Sequence, residues 1–221
     1  MNSVKEKVKL FTIGHSTRPL DEFLFLLREF KISTLIDIRR FPGSRKFPHF
    51  NRQSLEQTLP SARIEYIWLE DLGGRRSGPG IDKSLNPGLK SVGFRNYADY
   101  MQTEPFHLAV ERLLSVAATK PAAIMCAEKL FWKCHRRLLS DYLVAQGVCV
   151  EHIMDSARGE LGRTGRLQPH KLSAGAVITE NLQVIYPSTA SDDDTPASPA
   201  RLDSASSRGR TKRGEPKLFD L

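Results

Sequence analysis

The chain has 221 residues, 33 of them Lys or Arg against 25 Asp or Glu, for a net charge of +8, and its 40% apolar content suffices for one ordinary domain plus some extra length. No run of 18 or more apolar residues occurs, which argues against a membrane span, and the polar start Met1-Asn2-Ser3-Val4-Lys5-Glu6-Lys7 lacks the apolar stretch of an export signal. A cytoplasmic location is therefore expected, with the three cysteines present as thiols.

Residues 1–155 read as alternating strand and helix. Lys9 to Ile13 is a short apolar run stopped by Gly14, hence a buried strand. Leu20 to Phe30 carries Phe23, Leu24, Leu27 and Phe30 at helical spacing, with Pro19 suited to the first turn and Asp21 and Glu22 complementing the helix dipole. Thr34 to Ile38 is a second strand. Asn51 is placed to cap a short helix through Leu59, ended by Pro60, and Glu65 to Leu69 is a third strand. Residues 71–92, rich in Gly, Pro, Ser and Asn, form a long loop. Helices are expected over Phe94–Met101 and Pro105–Ala118, a fourth strand over Ala122–Cys126, a helix over Lys133–Gln146 closed by Gly147, and a fifth strand over Val148–Ile153. This order predicts a three-layer α/β domain: a mostly parallel sheet of about five strands with helices on both faces.

Beyond Asp155 the pattern weakens. Residues 156–186 read as an extension in which Val177-Ile178 and Leu182 to Tyr186 form a hairpin or an edge strand. Residues 187–221, rich in Ser, Asp, Thr, Ala and Pro and then Arg and Lys, bury too little to fold and are expected to be a disordered tail. The tail's six basic and six acidic residues cancel, so the positive surplus, 27 basic against 19 acidic, belongs to residues 1–186. A basic folded region favours anionic partners such as nucleic acid, nucleotides or phosphorylated metabolites.

In open parallel sheets, ligands bind beyond the carboxyl ends of the strands. Those ends read Gly14-His15-Ser16-Thr17, Asp37-Ile38-Arg39-Arg40 and Cys126-Ala127-Glu128, and they face one crevice if the strands are neighbours. The candidate catalytic residues are therefore Cys126, Glu128, Asp37 and His15. The candidate anion-binding residues are Arg39, Arg40, Arg45, Arg136, Cys134, His135, Gly73 and Gly74. Cys134, His135 and Arg136 fall near the start of a helix, where partial positive charge favours a thiolate or a bound anion. Arg39 to Arg52 alternates bases with aromatics, a pairing suited to phosphates and stacked bases, and Leu72-Gly73-Gly74-Arg75-Arg76 is a second basic, glycine-rich loop. The plain alternative makes Cys126 a small core residue and Asp37 the salt-bridge partner of Arg39 or Arg136. A metal on Cys126, Cys134 and His135 matches no common structural zinc spacing. The zinc deaminases, with a ligand two residues before a catalytic Glu, resemble Cys126-Ala127-Glu128, but their Pro-Cys-x-x-Cys is missing. No cofactor is expected. His49, His107, His152 and His170 show no convergent neighbours.

Taken in order, Thr12-Ile13-Gly14-His15-Ser16, Asp37-Ile38-Arg39-Arg40 with Pro42 and Ser44, Leu72-Gly73-Gly74, Met125-Cys126-Ala127-Glu128 and Cys134-His135-Arg136-Arg137 resemble the bacterial and archaeal domain-of-unknown-function family 488, over roughly residues 9–155. The resemblance supports the fold boundary, implies that these segments are the family's signature, and implies no reaction. The last residues, Glu215 to Leu221, loosely resemble peptides that dock on the bacterial sliding clamp, with Leu218 and Phe219 as the anchor and the leading Gln missing. Three readings follow: an enzyme acting on a nucleic acid or nucleotide-like anion, a non-catalytic nucleic-acid-binding or clamp-associated module, and a metal-stabilised domain.

Overall fold

Five short apolar runs become the parallel strands β1 (Lys9–Gly14), β2 (Thr34–Asp37), β3 (Glu65–Trp68), β4 (Ala122–Cys126) and β5 (Cys149–Gly159) in the structure, a computed structural model that describes residues 8–78, 83–159 and 162–188. A sixth strand, β6 (Gly162–Pro169), runs antiparallel to β5, and the sheet order is β3-β2-β4-β1-β5-β6. The helices are α1 (Leu20–Glu29), α2 (Arg52–Thr58), α3 (Val92–Tyr100), α4 (Glu104–Ala117) and α5 (Arg136–Ala145). The protein is thus an α/β domain built on a mixed, mostly parallel sheet, and no helix among the described residues is long and apolar enough to cross a membrane.

The strand order sorts the helices. Right-handed crossovers that move in opposite directions along a sheet lie on opposite faces. The β1–β2 and β2–β3 links move one way, and the β3–β4 and β4–β5 links move the other. Accordingly, Phe23, Leu26 and Leu27 of α1 and Leu55 of α2 pack with Phe11, Ile13, Leu35, Ala123 and Met125 on one face. On the other face, Tyr97, Phe106, Leu113 and Leu139 from α3, α4 and α5 pack with Leu10, Ile36, Ala122, Ile124 and Cys126. Strand β4 lies between β2 and β1, and its outgoing chain turns to the opposite face from theirs. The loops therefore diverge around its carboxyl end and open a crevice there.

The structure departs from several expectations. Asn51 does not cap α2; its Oδ1 accepts the Ser44 N–H instead, which ties the basic loop to the helix start. The helix expected from Lys133 begins only at Arg136, because Cys134 is extended (φ −126°, ψ 152°) after a 3₁₀ turn at Phe131–Lys133. Strand β5 runs through the boundary expected at residue 155, and its partner β6 was not foreseen, because glycines and charges in both strands mask the period-two signal. Val177–Ile178 (β7) and Val184–Ile185 (β8) do pair, as a separate antiparallel hairpin, and Val184 and Tyr186 are buried in the α3–α5 core. The tail expected to be disordered, with Leu218 and Phe219, lies outside the described residues apart from 187 and 188.

The end of β1 leaves no room for a side chain. A Cβ on Gly14 would overlap the Glu128 carbonyl and sit 2.8 Å from the Arg136 guanidinium, whereas one on Gly43 would meet nothing within 4 Å. Gly14→Ala must therefore move backbone and is expected to cost on the order of 1–3 kcal/mol or more in urea denaturation, while Gly43→Ala leaves the midpoint close to that of the unaltered protein.

Candidate functional site

Cys126 closes β4 at the mouth of the crevice, and Cys134 and His135 reach the same place from the chain that enters α5. The His135 Nδ1 lies 3.5 Å from the Cys134 Sγ and 3.9 Å from the Cys126 Sγ. Both sulfurs are buried. A Cβ on Gly74 would come within 2.5 Å of the His135 Nδ1, so the glycine-rich loop passes directly over the ring, and Tyr97 packs edge to face against it at 5.1 Å. The two thiols are electrostatically unlike. The hydrogen bond to Cys134, and then burial, push the Cys126 thiol well up. Burial opposes charge on Cys134 too, but the Cys126 thiol and the His135 ring outweigh it and hold Cys134 well below the usual thiol range.

These groups line an open cleft of about 910 Å³. Arg39, Arg40, Arg75, Arg76 and Lys133 also line it, and Glu128 contributes the one carboxylate among them. Arg40 lies 3.3 Å from Glu70, and Arg76 donates to the Gly73 and Glu70 carbonyls while stacking on Tyr100 at 3.8 Å. Arg75 and Lys133 are exposed, and neither has a carboxylate within 4 Å among the described residues. Glu128 is exposed and accepts the Leu130 N–H at 3.0 Å. Phe41, 65% exposed, and Phe94 bring aromatic rings to the same walls.

Strand parity separates Asp37 from this cluster. Asp37 pairs in register with Met125, so both face the α1–α2 side, while Cys126 faces the other. The fully buried Asp37 receives the Arg39 Nε at 2.9 Å and Nη2 at 2.5 Å, the Arg39 backbone N–H at 3.0 Å and the Tyr66 hydroxyl at 2.7 Å. Arg39 also donates to the Phe50 carbonyl at 2.7 Å and to the His15 Nε2 at 3.2 Å. His15 donates its Nδ1–H to the Ser16 carbonyl and stacks on Phe50 at 4.2 Å. Burial, then the Arg39 charge, lowers the His15 pKa from 6.5 to about 4, so the ring is neutral and both its nitrogens are engaged. Asp37 and His15 thus brace Arg39 from behind and do not line the cleft.

Arg136 is 1% exposed and also faces inward, donating to the Thr12 hydroxyl at 3.2 Å and to the Glu128 and Lys129 carbonyls. Thr12 passes the chain of hydrogen bonds on to the His152 Nδ1 at 2.7 Å, His152 to His170 at 2.9 Å, and His170 to Asp141 at 2.9 Å. Asp141 is also held by the Tyr186 hydroxyl at 2.7 Å. His152 and His170 do converge, contrary to expectation. The partners lie in strands and loops far apart in sequence, and no local pattern signals them.

Of the expected site residues, the structure brings Cys126, Glu128, Cys134, His135, Arg39, Arg40 and Gly74 to one cleft. Arg45 is exposed on the loop outside it, and Arg136 is structural. Gly73 is buried and its N–H is donated to the Glu70 carbonyl, so it is not open to an anion. The wall contributed by Ser91 and by Gly93 and Phe94 at the start of α3 was missed, because nothing local to that helix start signals that it folds back over the sheet end.

Three stability outcomes follow from these contacts. Asp37→Ala leaves Arg39 buried without its carboxylate and is expected to cost about 3–5 kcal/mol. Tyr66→Phe removes one hydrogen bond and should cost about 1 kcal/mol, both read by chemical denaturation. Burial, with the charges of His170 and Arg136, lowers the His152 pKa from 6.5 to about 3. Between those values the unfolded chain binds a proton that the folded chain does not, so stability falls as pH drops below 6.5. His152→Gln is expected to make the stability–pH slope shallower by about 0.7 kcal/mol per pH unit at pH 6.5, rising to about 1.4 by pH 5.

No curated protein and no solved structure gives a match to this chain. The model of the family described as "Domain of unknown function DUF488" matches residues 19–143, more than half of the chain, a stretch that holds Asp37, Arg39, the Gly73-Gly74 loop, Cys126, Glu128, Cys134 and His135. The chain belongs to the DUF488 family.

Proposed function

We propose that the cleft is the active site of an enzyme acting on a nucleotide-like, phosphate-bearing substrate, either a free nucleotide or a single-stranded nucleic-acid end. The observation that carries this reading is the layering of the cleft: exposed cations and aromatic rings on its walls, a buried dithiol with an imidazole at its floor. Arg75 and Lys133 are free to meet phosphate, Arg39 is held rigidly towards the same space, and Phe41 and Phe94 offer faces for a base. A volume of about 910 Å³ suits a ligand of nucleotide size. Glu128 at the rim is the proton-carrying candidate, and Asp37 and His15 are positioning residues that act through Arg39. The reaction class is hydrolysis or base modification. A non-catalytic binding module would use the same cations. The thiol and imidazole cluster beneath them favours the enzymatic reading, since phosphate binding alone has no use for it.

Binding of mononucleotides and short single-stranded DNA and RNA, followed by fluorescence anisotropy across a salt series, tests this directly. Each phosphate neutralised on a single strand contributes about 0.7 to the slope of log affinity against log salt. Replacing both Arg75 and Lys133 with alanine is expected to weaken binding and reduce the slope by about 1.4. A slope near zero in the unaltered protein overturns the assignment.

A further inference from the structure

We propose that Cys126, Cys134 and His135 form a three-ligand site for a zinc ion, with its fourth position open to the cleft. The inference goes beyond the substrate reading, since the ion would be held by these side chains whatever enters the cleft. In a tetrahedral site with sulfurs at about 2.3 Å and an imidazole nitrogen at about 2.05 Å from Zn²⁺, the sulfur-to-nitrogen edges measure about 3.5–3.6 Å and the sulfur-to-sulfur edge about 3.7–3.8 Å. The His135 Nδ1 stands 3.5 Å from the Cys134 Sγ and 3.9 Å from the Cys126 Sγ, and all three atoms lie within 4.8 Å of one another. The two nitrogen-to-sulfur distances already stand within about 0.4 Å of the tetrahedral edges, and the sulfurs are at most about 1 Å further apart than an ion would hold them.

The ligands are also held in advance. Cys126 is fixed by the end of a central strand, whose carbonyl accepts the His15 N–H at 2.9 Å. His135 is confined between the Gly74 backbone and the Tyr97 ring, with its Nδ1 aimed at the sulfurs. A residue larger than glycine at 74 would push the ring off this line. The donor set, two sulfurs and one imidazole, suits a borderline-soft cation and disfavours Mg²⁺ or Ca²⁺. Two thiolates and Zn²⁺ sum to no net charge, so the complex sits beside the buried Arg136 without repulsion. Three protein ligands and a vacancy are the pattern of zinc sites that bind water or substrate, as distinct from closed structural sites. Cys126, Cys134 and His135 line the cleft together with Glu128 and Arg39, so a fourth ligand would come from that space.

The test is uptake of Zn²⁺, and of Co²⁺ as its spectroscopic stand-in, by the reduced full-length chain. About one equivalent per chain is expected, with the intense visible bands of tetrahedral Co²⁺ and a thiolate-to-metal charge-transfer band in the near ultraviolet. Cys126→Ser and Cys134→Ser should abolish both signals, and Cys149→Ser should leave them intact, since Cys149 is exposed and outside the cleft. In the unaltered protein, where misfolding is no concern, Zn²⁺ should protect Cys126 and Cys134 from alkylation while Cys149 still reacts, as read by peptide mass spectrometry. No uptake, uptake without the charge-transfer band, or equal alkylation of all three cysteines with and without Zn²⁺ overturns the proposal. Nucleotide binding measured on both the Zn²⁺-loaded and the chelator-treated protein separates the two ideas: a metal-loaded chain that binds no nucleotide sinks the substrate reading and leaves the zinc site standing.

Discussion

A guanidinium group with 1% of its surface exposed must find its acceptors inside the protein, and Arg136 finds them on two separate segments: the Thr12 hydroxyl of β1 and the Glu128 and Lys129 carbonyls after β4. No carboxylate lies within 4 Å of it among the described residues, so its charge is met by oriented dipoles and by the Cys134 sulfur, whose thiol it helps to hold low. Because Arg136 opens α5, the same bonds fix where Cys134 and His135 enter that helix relative to Cys126. Gly14 is part of this arrangement, since any larger residue would occupy the space taken by the Glu128 carbonyl and the guanidinium. The thiol cluster is thus placed by an arginine that never meets the solvent.

A second buried arginine does the complementary work on the opposite side of the sheet. Arg39 is bound on both Asp37 oxygens, and the Asp37 carboxylate outweighs the burial penalty on its charge. Its remaining contacts, to the Phe50 carbonyl and the neutral His15, leave little rotational freedom. A guanidinium so restrained reaches the cleft from the α1–α2 face, while the thiols reach it from the α3–α5 face. The crevice is therefore a place where groups carried on opposite faces meet, and that follows from the position of β4 between two strands whose connections diverge from its own.

How much of this was legible in the sequence depends on the range of the interaction. The strands β1 to β4 were readable because each is a short apolar run bounded by turn residues, and the rule that ligands sit at strand ends led to Cys126, Glu128 and Arg39 without coordinates. Cys134 and His135 were readable as neighbours of a helix start, although the extended Cys134 that aims them was not. Strand parity was also present in principle: Asp37 aligns with Met125, so the carboxylate and the Cys126 thiol must part company, but this needs the register, which the sequence withholds. The chain of contacts from Thr12 through His152 and His170 to Asp141 spans more than a hundred residues of sequence, and nothing local to any member announces it. Likewise, β6 carries glycines and charges where a half-buried strand would alternate, so pairing with β5 stabilises it where propensity does not.

The two walls of the cleft differ in kind, and the difference constrains what each can do. The floor is made of side chains fixed by strand ends, a buried arginine and a ring confined on two sides, so little freedom is left to it. The outer wall is made of loop residues: Phe41, Arg75 and Lys133 are exposed and hold few internal contacts. Chemistry demands placement within fractions of an ångström, whereas recognition of a flexible, charged ligand tolerates adjustment. In the proposed reading, exchange of outer-wall residues would alter which substrate is accepted and how steeply salt weakens it, with the floor unchanged. Exchange at Gly74 is the exception, because that backbone belongs to both walls at once: it carries the basic loop and it sets the tilt of His135.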